Sequence, residues 1–307
     1  MKKKYALLLA VIILPVFTMA CDICGCGVGN SYIGILPDFH KHIFGIRYRY
    51  NSMYTHLGVG GSTTYLTTKE MYNTVEAWGG WNIGEKTRII LSVPYGVNTR
   101  KNQGESNSKN GLGDITLSGY YQLLNSRRTV LNQKLFVQSL WIGAGVKFAT
   151  GKYNSADKNV SGNNVNLFQL GTGSNDFNVG LMYDARLQDF GINVSSNYKI
   201  STVNKDDYRY GNKLTINTQA YYKCRINKKI MLAPNAGIQY ENGSTDTDNN
   251  FKVTASGGRL LLGTIGVETV LGRFAVGANV QTPLSQNLAN GIVKANGRFM
   301  LHVAIAL

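Results

Sequence analysis

Three thiols stand close together near the start of the chain, in Cys21-Asp22-Ile23-Cys24-Gly25-Cys26-Gly27. Thiolates are soft ligands that favour Cu(I) or Zn, and Cys24 and Cys26 are near enough along the chain to hold one ion. Asp38, His40 and His42 follow and could complete its shell. The candidate metal ligands are therefore Cys21, Cys24, Cys26, His40 and His42, with copper or zinc as the cofactor. Two other chemistries fit the same residues. Thiols of exported chains oxidise, so Cys21 and Cys24 could close a small disulfide. Cys21 could instead carry a lipid, although Thr18 stands where a lipidation signal wants an aliphatic residue. The fourth cysteine, Cys224, falls on a lipid-facing strand position and reads as an inert apolar side chain.

Catalytic chemistry has little to build on. A Ser-His-Asp hydrolase needs its three groups at one rim. The four histidines are His40, His42, His56 and His302. The first two precede the first strand, the third lies in a loop, and no motif links His302 to a serine. Asp157, Asp206, Asp207, Asp246 and Asp248 read as solvated loop charge. The chain is read as a non-enzyme.

The first residues explain where such chemistry would operate. Lys2-Lys3-Lys4, an apolar run from Tyr5 to Phe17 and a small-residue ending at Ala20 read as a secretory signal peptide over 1–20. The whole chain carries 32 basic and 17 acidic residues. Export argues against a nucleic-acid partner despite that excess. Anionic lipopolysaccharide and outer-membrane lipid are the expected contacts, with a small solute as cargo and a periplasmic partner at the cysteine head.

Charged residues make up only 16% of the chain and Gly numbers 35, unlike a helical enzyme, where charge runs nearer ~25%. From residue 43 onward apolar residues alternate with polar or small ones, the period of strands with one apolar face. The final stretch is an example: Phe299, Leu301, Val303, Ile305 and Leu307 alternate with Arg298, Met300, His302, Ala304 and Ala306. The pattern predicts twelve strands near 42–53, 70–83, 86–98, 112–124, 134–149, 174–187, 189–201, 213–226, 229–241, 258–271, 273–283 and 295–307. Connections on one side are short, with 125–133 the exception. Those on the other are long and polar: 54–69, 99–111, 150–173, 202–212, 242–257 and 284–294. Such sorting marks an all-β, transmembrane, antiparallel up-and-down barrel.

Parity then assigns faces. Phe44, Ile46, Leu117, Tyr121 and Ile142 point to lipid. Arg47, Arg49, Glu76, Arg88, Asp114, Lys147, Asp184, Arg186, Lys199, Lys223, Glu268, Arg298 and His302 point inward, because a charge facing lipid at mid-bilayer costs ~2–4 kcal/mol. Tyr72, Trp78, Tyr120 and Trp141 are inward aromatics. Residues 28–41 hold Tyr32, Ile33, Ile35, Leu36 and Phe39, too apolar for a free tail, and are predicted to plug the barrel or pack on its rim.

Three stretches resemble a known family. They are Gly111-Leu112-Gly113-Asp114, Lys147-Phe148-Ala149-Thr150-Gly151 and Leu170-Gly171-Thr172-Gly173-Ser174-Asn175-Asp176. In this order they look like the outer-membrane transporters named for the meta pathway of phenol degradation, a likeness covering about 42–307. Ala149 stands where that family usually has Pro. The cysteine head resembles short Cys-rich heads on some bacteroidete barrels of this type. The resemblance implies a transporter or channel and supplies no substrate. The motif residues themselves read as structural: glycines for tight turns, and Asp114 bonding nearby backbone amides or pairing with an inward Arg.

The resulting expectation is a signal peptide (1–20), a periplasmic Cys-rich head and plug (21–41) and an outer-membrane barrel (42–307). Small, anionic solutes would cross passively past Arg47, Arg49, Arg88, Arg186, Lys199 and Arg298. The alternatives are a soft-metal binding or sensing protein and a closed structural barrel.

Overall fold

The structure is a computed structural model that describes residues 42–130, 133–159, 166–226 and 230–307. Twelve strands form the wall: β1 (Ile43–Thr55), β2 (Thr68–Ile83), β3 (Thr87–Asn102), β4 (Thr116–Val130), β5 (Lys134–Lys147), β6 (Asp176–Leu187), β7 (Phe190–Ile200), β8 (Lys213–Tyr222), β9 (Ile230–Gly243), β10 (Gly258–Leu271), β11 (Phe274–Leu288) and β12 (Lys294–Ala306). Each is antiparallel to its chain neighbours, and β1 pairs with β12 so that Arg47 sits opposite His302. The sheet is closed and has no free lateral edge, the arrangement that satisfies every ladder hydrogen bond within a bilayer.

The predicted alternation builds this wall. On β1, Ile43, Gly45 and Arg47 are buried while Phe44 and Ile46 are about half exposed, at 50% and 52%. On β6, Asp176 and Asn178 face in and Phe177, Val179 and Leu181 face out. An apolar outer surface around a polar interior is the reverse of a soluble barrel and suits a wall facing lipid. No helix among the described residues is long and apolar enough to cross a membrane.

Two segments differ from the sequence reading. The 99–111 stretch is a hairpin: β3 runs on to Asn102, turns at Gln103 and Gly104, and a strand at Glu105–Leu112 pairs back on it. Both residues of that turn have positive φ, the twist a two-residue hairpin needs. The 125–133 connection is also shorter than expected. Residues 125–130 continue β4 and pair with β5, after a bulge between Gln122 and Leu124. Neither segment alternates, because both faces are wet, so period two could not reveal them.

The interior divides along the axis. At the end where β1 begins, β12 ends and the short turns lie, Ile43, Trp78, Ile90, Tyr120, Trp141 and Ala304 form one apolar cluster. Charged and polar side chains occupy the middle. At the opposite, long-loop end, a second cluster joins wall residues Met53, Tyr72, Leu260 and Leu262 to Leu167 and Phe168 from the β5–β6 loop.

Candidate functional site: the folded-in loop and its anchor

Part of the β5–β6 connection (148–175) folds into the barrel. Its described segment 166–170 turns inward, and Asn166, Leu167, Phe168, Gln169 and Leu170 are all buried. Side chains of the wall, of the Glu105–Leu112 strand and of the β7–β8 connection reach for its backbone carbonyls. The Tyr72 hydroxyl donates to the Leu167 carbonyl (3.3 Å), Asn98 Nδ2 to that of Gln169 (3.2 Å) and the Tyr210 hydroxyl to that of Asn166 (3.1 Å). Lys109 Nζ donates to the Phe168 carbonyl at 2.6 Å. Above the Phe168 ring lie Arg100, at 4.4 Å, and Lys109, at 5.0 Å, as cation–π partners. Arg100 is itself held by Glu70, Nε to Oε1 at 3.0 Å. Gln169 closes the turn by bonding the Asn154 backbone through both ends of its amide, at 2.8 and 3.0 Å. Apolar side chains seal the segment; the wall and neighbouring loop side chains satisfy its carbonyls, as burial demands.

The three motif stretches anchor this loop. Lys147, the last residue of β5, places Nζ 2.8 Å from both Asp114 Oδ2 and Asp176 Oδ2, and all three side chains are buried. Asp114 also accepts from the amides of Gly151 and Thr172 and from the Thr172 hydroxyl, each at 2.9 Å. Lys147 additionally touches the Thr172 hydroxyl. Asp176 Oδ1 accepts from Ser174 Oγ (2.9 Å) and the Thr202 amide (3.0 Å). Asp114 thus bonds nearby amides, as the sequence suggested, and its cation is a lysine. The two ends of the loop cross where Gly151 meets Gly171. A Cβ on Gly171 would stand 2.6 Å from the Gly151 backbone, so this crossing admits only glycine.

Below the anchor the lumen charges group unevenly. Glu76 faces two arginines, Arg49 Nη2 at 2.9 Å and Arg47 Nε at 4.0 Å, and accepts from Ser92. Glu241 faces Arg298 in a two-pronged contact, at 2.5 and 3.2 Å, and Lys213 at 3.2 Å. Arg88 and Lys199 are buried on β3 and β7. Arg186 is half-buried at the turn end, where its guanidinium donates to the Gln188 carbonyl. The structure therefore brings Arg47 and Arg49 together and spreads the other four candidate lumen cations around the wall.

Cys21, Cys24, Cys26 and His40 lie outside the described residues. His42 stands at the turn end, with its ring stacked on Trp81 (centroids 4.8 Å apart) and its Nδ1 accepting the Asn82 amide at 3.2 Å. Among the described residues, no three His, Cys, Asp or Glu side chains gather as a metal cage would require. Sequence reasoning missed the folded-in segment. Its signal was Leu167, Phe168 and Leu170 in a stretch otherwise rich in Asn, Gly and Ser.

The family described as "Putative MetA-pathway of phenol degradation" matches residues 48–282. Among solved structures, the chain resembles the COG4313 outer membrane channel from Pseudomonas putida F1. The TM-score is 0.63 and the identity 12%, covering 92% of this chain and 100% of that one. The beta domain of the Bordetella autotransporter BrkA is more distant, with a TM-score of 0.48 and 8% identity over 87% of this chain and 100% of that one. No curated protein matches the chain.

Proposed function

The chain belongs to this phenol-degradation family, and from that premise we propose that it is an outer-membrane channel through which small solutes, anions before cations, diffuse passively. The turn end faces the periplasm, where the N-terminal head begins, and the long loops face outward. Outer-membrane lipid and lipopolysaccharide are its surroundings.

The anion preference rests on one observation: Glu76 and Glu241 each face two cations. Each group, one carboxylate against two cations, keeps a net positive charge. Rings of basic side chains in a low-dielectric wall concentrate anions and repel cations. The same geometry separates this reading from a closed structural barrel, whose interior needs no charge surplus.

Reconstitution of the mature protein in a planar bilayer under a KCl gradient tests the proposal. The expected result is a current whose reversal potential lies toward that of chloride. Arg49→Glu together with Arg298→Glu should move it toward potassium. A reversal potential set by potassium in the parent protein would contradict the reading.

A further inference from the structure

The β4–β5 hairpin runs past the wall at the turn end. β3 pairs with β4 only as far as Thr87 opposite Tyr121. The Gln122 amide, bonded to the Lys86 carbonyl at 2.8 Å, is the last backbone contact on that side among the described residues. β4 then continues to Val130 with β5 as its sole sheet partner there. One edge of the hairpin, over 123–130, is therefore open for about 26 Å at the rise of a strand. The other side is braced. β6 pairs with β5 down to Leu187 opposite Phe136, and the Gln188 amide donates to the Leu135 carbonyl at 2.8 Å. The result is a fixed two-stranded arm that offers one edge.

Edges left in water are commonly blunted by proline or by bulges. Here the bulge lies at the root of the arm, between Gln122 and Leu124, and 123–137 contains neither proline nor glycine. The arm is also basic. Arg127, Arg128 and Lys134 are exposed, and no acidic residue occurs between Asp114 and Asp157. None of the three cations makes an ion pair among the described residues. Register sets Arg127 opposite Val137 and Arg128 opposite Phe136, so the two guanidiniums stand on opposite faces of the arm. Arg186 on β6 continues the Arg127 row, opposite Val137. A membrane surface would meet one of these faces only. A second copy of the chain would set Arg against Arg. A strand laid along the edge presents side chains to both faces at once.

We infer that the β4 edge at 123–130 is a docking site for an extended, acidic segment of a periplasmic protein, which adds to the arm as a third strand. Backbone hydrogen bonds hold the added strand, and its carboxylates face Arg127 on one side and Arg128 on the other. The periplasmic placement rests on the orientation given to the channel above; the docking rests on the arm alone.

Fluorescence anisotropy of labelled peptides tests it, with the full-length barrel folded in detergent. Three probes of about eight residues alternate Val with Glu, with Ser or with Lys. A fourth is the Glu peptide with its central Val residues replaced by Pro, which cannot donate to a ladder. The Glu peptide should bind on the order of tenfold tighter than the Ser peptide, and the Lys and Pro peptides should bind no better than Ser. Arg127→Glu/Arg128→Glu should keep the heat-dependent gel mobility of a folded barrel and turn the preference to the Lys peptide. The comparisons on the parent protein stand whether or not that variant folds. Equal binding of the Glu and Pro peptides would mean charge attraction without an added strand, and overturns the inference. A Glu peptide that does not outbind Ser and Lys overturns it too.

An accessibility measurement separates the docking from the orientation. In a chain with Cys21, Cys24, Cys26 and Cys224 changed to Ser, Thr129→Cys should react with a maleimide too large for the outer membrane in broken cells and not in intact ones. Labelling of intact cells overturns the orientation, and the periplasmic partner with it, even where the Glu peptide binds.

Discussion

At the scale of single residues, Lys147 is the cation at the centre of the loop anchor. It sits 2.8 Å from both Asp114 and Asp176; Asp114 bonds both ends of the folded-in loop through the amides of Gly151 and Thr172, and Asp176 bonds Ser174. Removing one member of a buried ion group typically costs about 3–5 kcal/mol, because the remaining charges stay buried. Lys147→Met should lower the urea midpoint of barrel unfolding, followed by gel mobility. Adding Asp176→Asn should restore part of the loss. His56 offers a pH handle just beyond β1. Its burial holds the imidazole below its ordinary value; Glu70 opposes that shift and Arg100 reinforces it. The unfolded chain takes up a proton near its ordinary 6.5 and the folded corner does not. The corner is therefore fully stable above that value and loses stability as pH falls through the folded pKa. Protease cleavage within 56–67 should be faster at about pH 5 than at neutral pH, a difference that His56→Gln should abolish. Equal rates at both pH values in the parent protein would remove this account.

At the scale of elements, strands were legible wherever one face met lipid and the other did not. β6 announces itself through Phe177, Val179 and Leu181 alternating with Asp176 and Asn178. The end of β4 and the Glu105–Leu112 strand did not, since water on both faces removes the period. The loop motif was legible as a pattern only. Parity put Asp114 and Lys147 on the inside, but their pairing depends on two loop ends crossing at Gly151 and Gly171, which no spacing reveals. The packing of the inner face yields its own prediction. The Tyr221 ring lies on Gly191, where an added Cβ would stand 2.2 Å from Cζ. Gly191→Val must push the ring off the wall and strain its bond to Asp184. Overpacking of this kind costs about 1–3 kcal/mol. Refolding into detergent should yield less of the heat-modifiable form, and Tyr221→Ala in the same chain should recover it. An undiminished yield for Gly191→Val alone would show that the wall can yield there.

At the scale of the whole molecule, a closed wall surrounds a charged interior, with an anchored loop folded into one end. The wall and the inward charges could be read from alternation. The loop folded into the loop end could not, because it depends on Leu167 and Phe168 leaving a loop and finding Tyr72, Leu260 and Leu262 on distant strands. The central claim is that the lumen is the solute path and that this loop narrows it. Single-channel conductance in a planar bilayer tests it most directly, with the parent compared to a variant in which 166–170 is replaced by Gly-Ser residues and to Lys147→Met. The account expects a small anion-selective conductance in the parent and a clear increase in both variants, the larger in the replaced loop. Three proteins with the same conductance, or three that stay silent while folded, would contradict it.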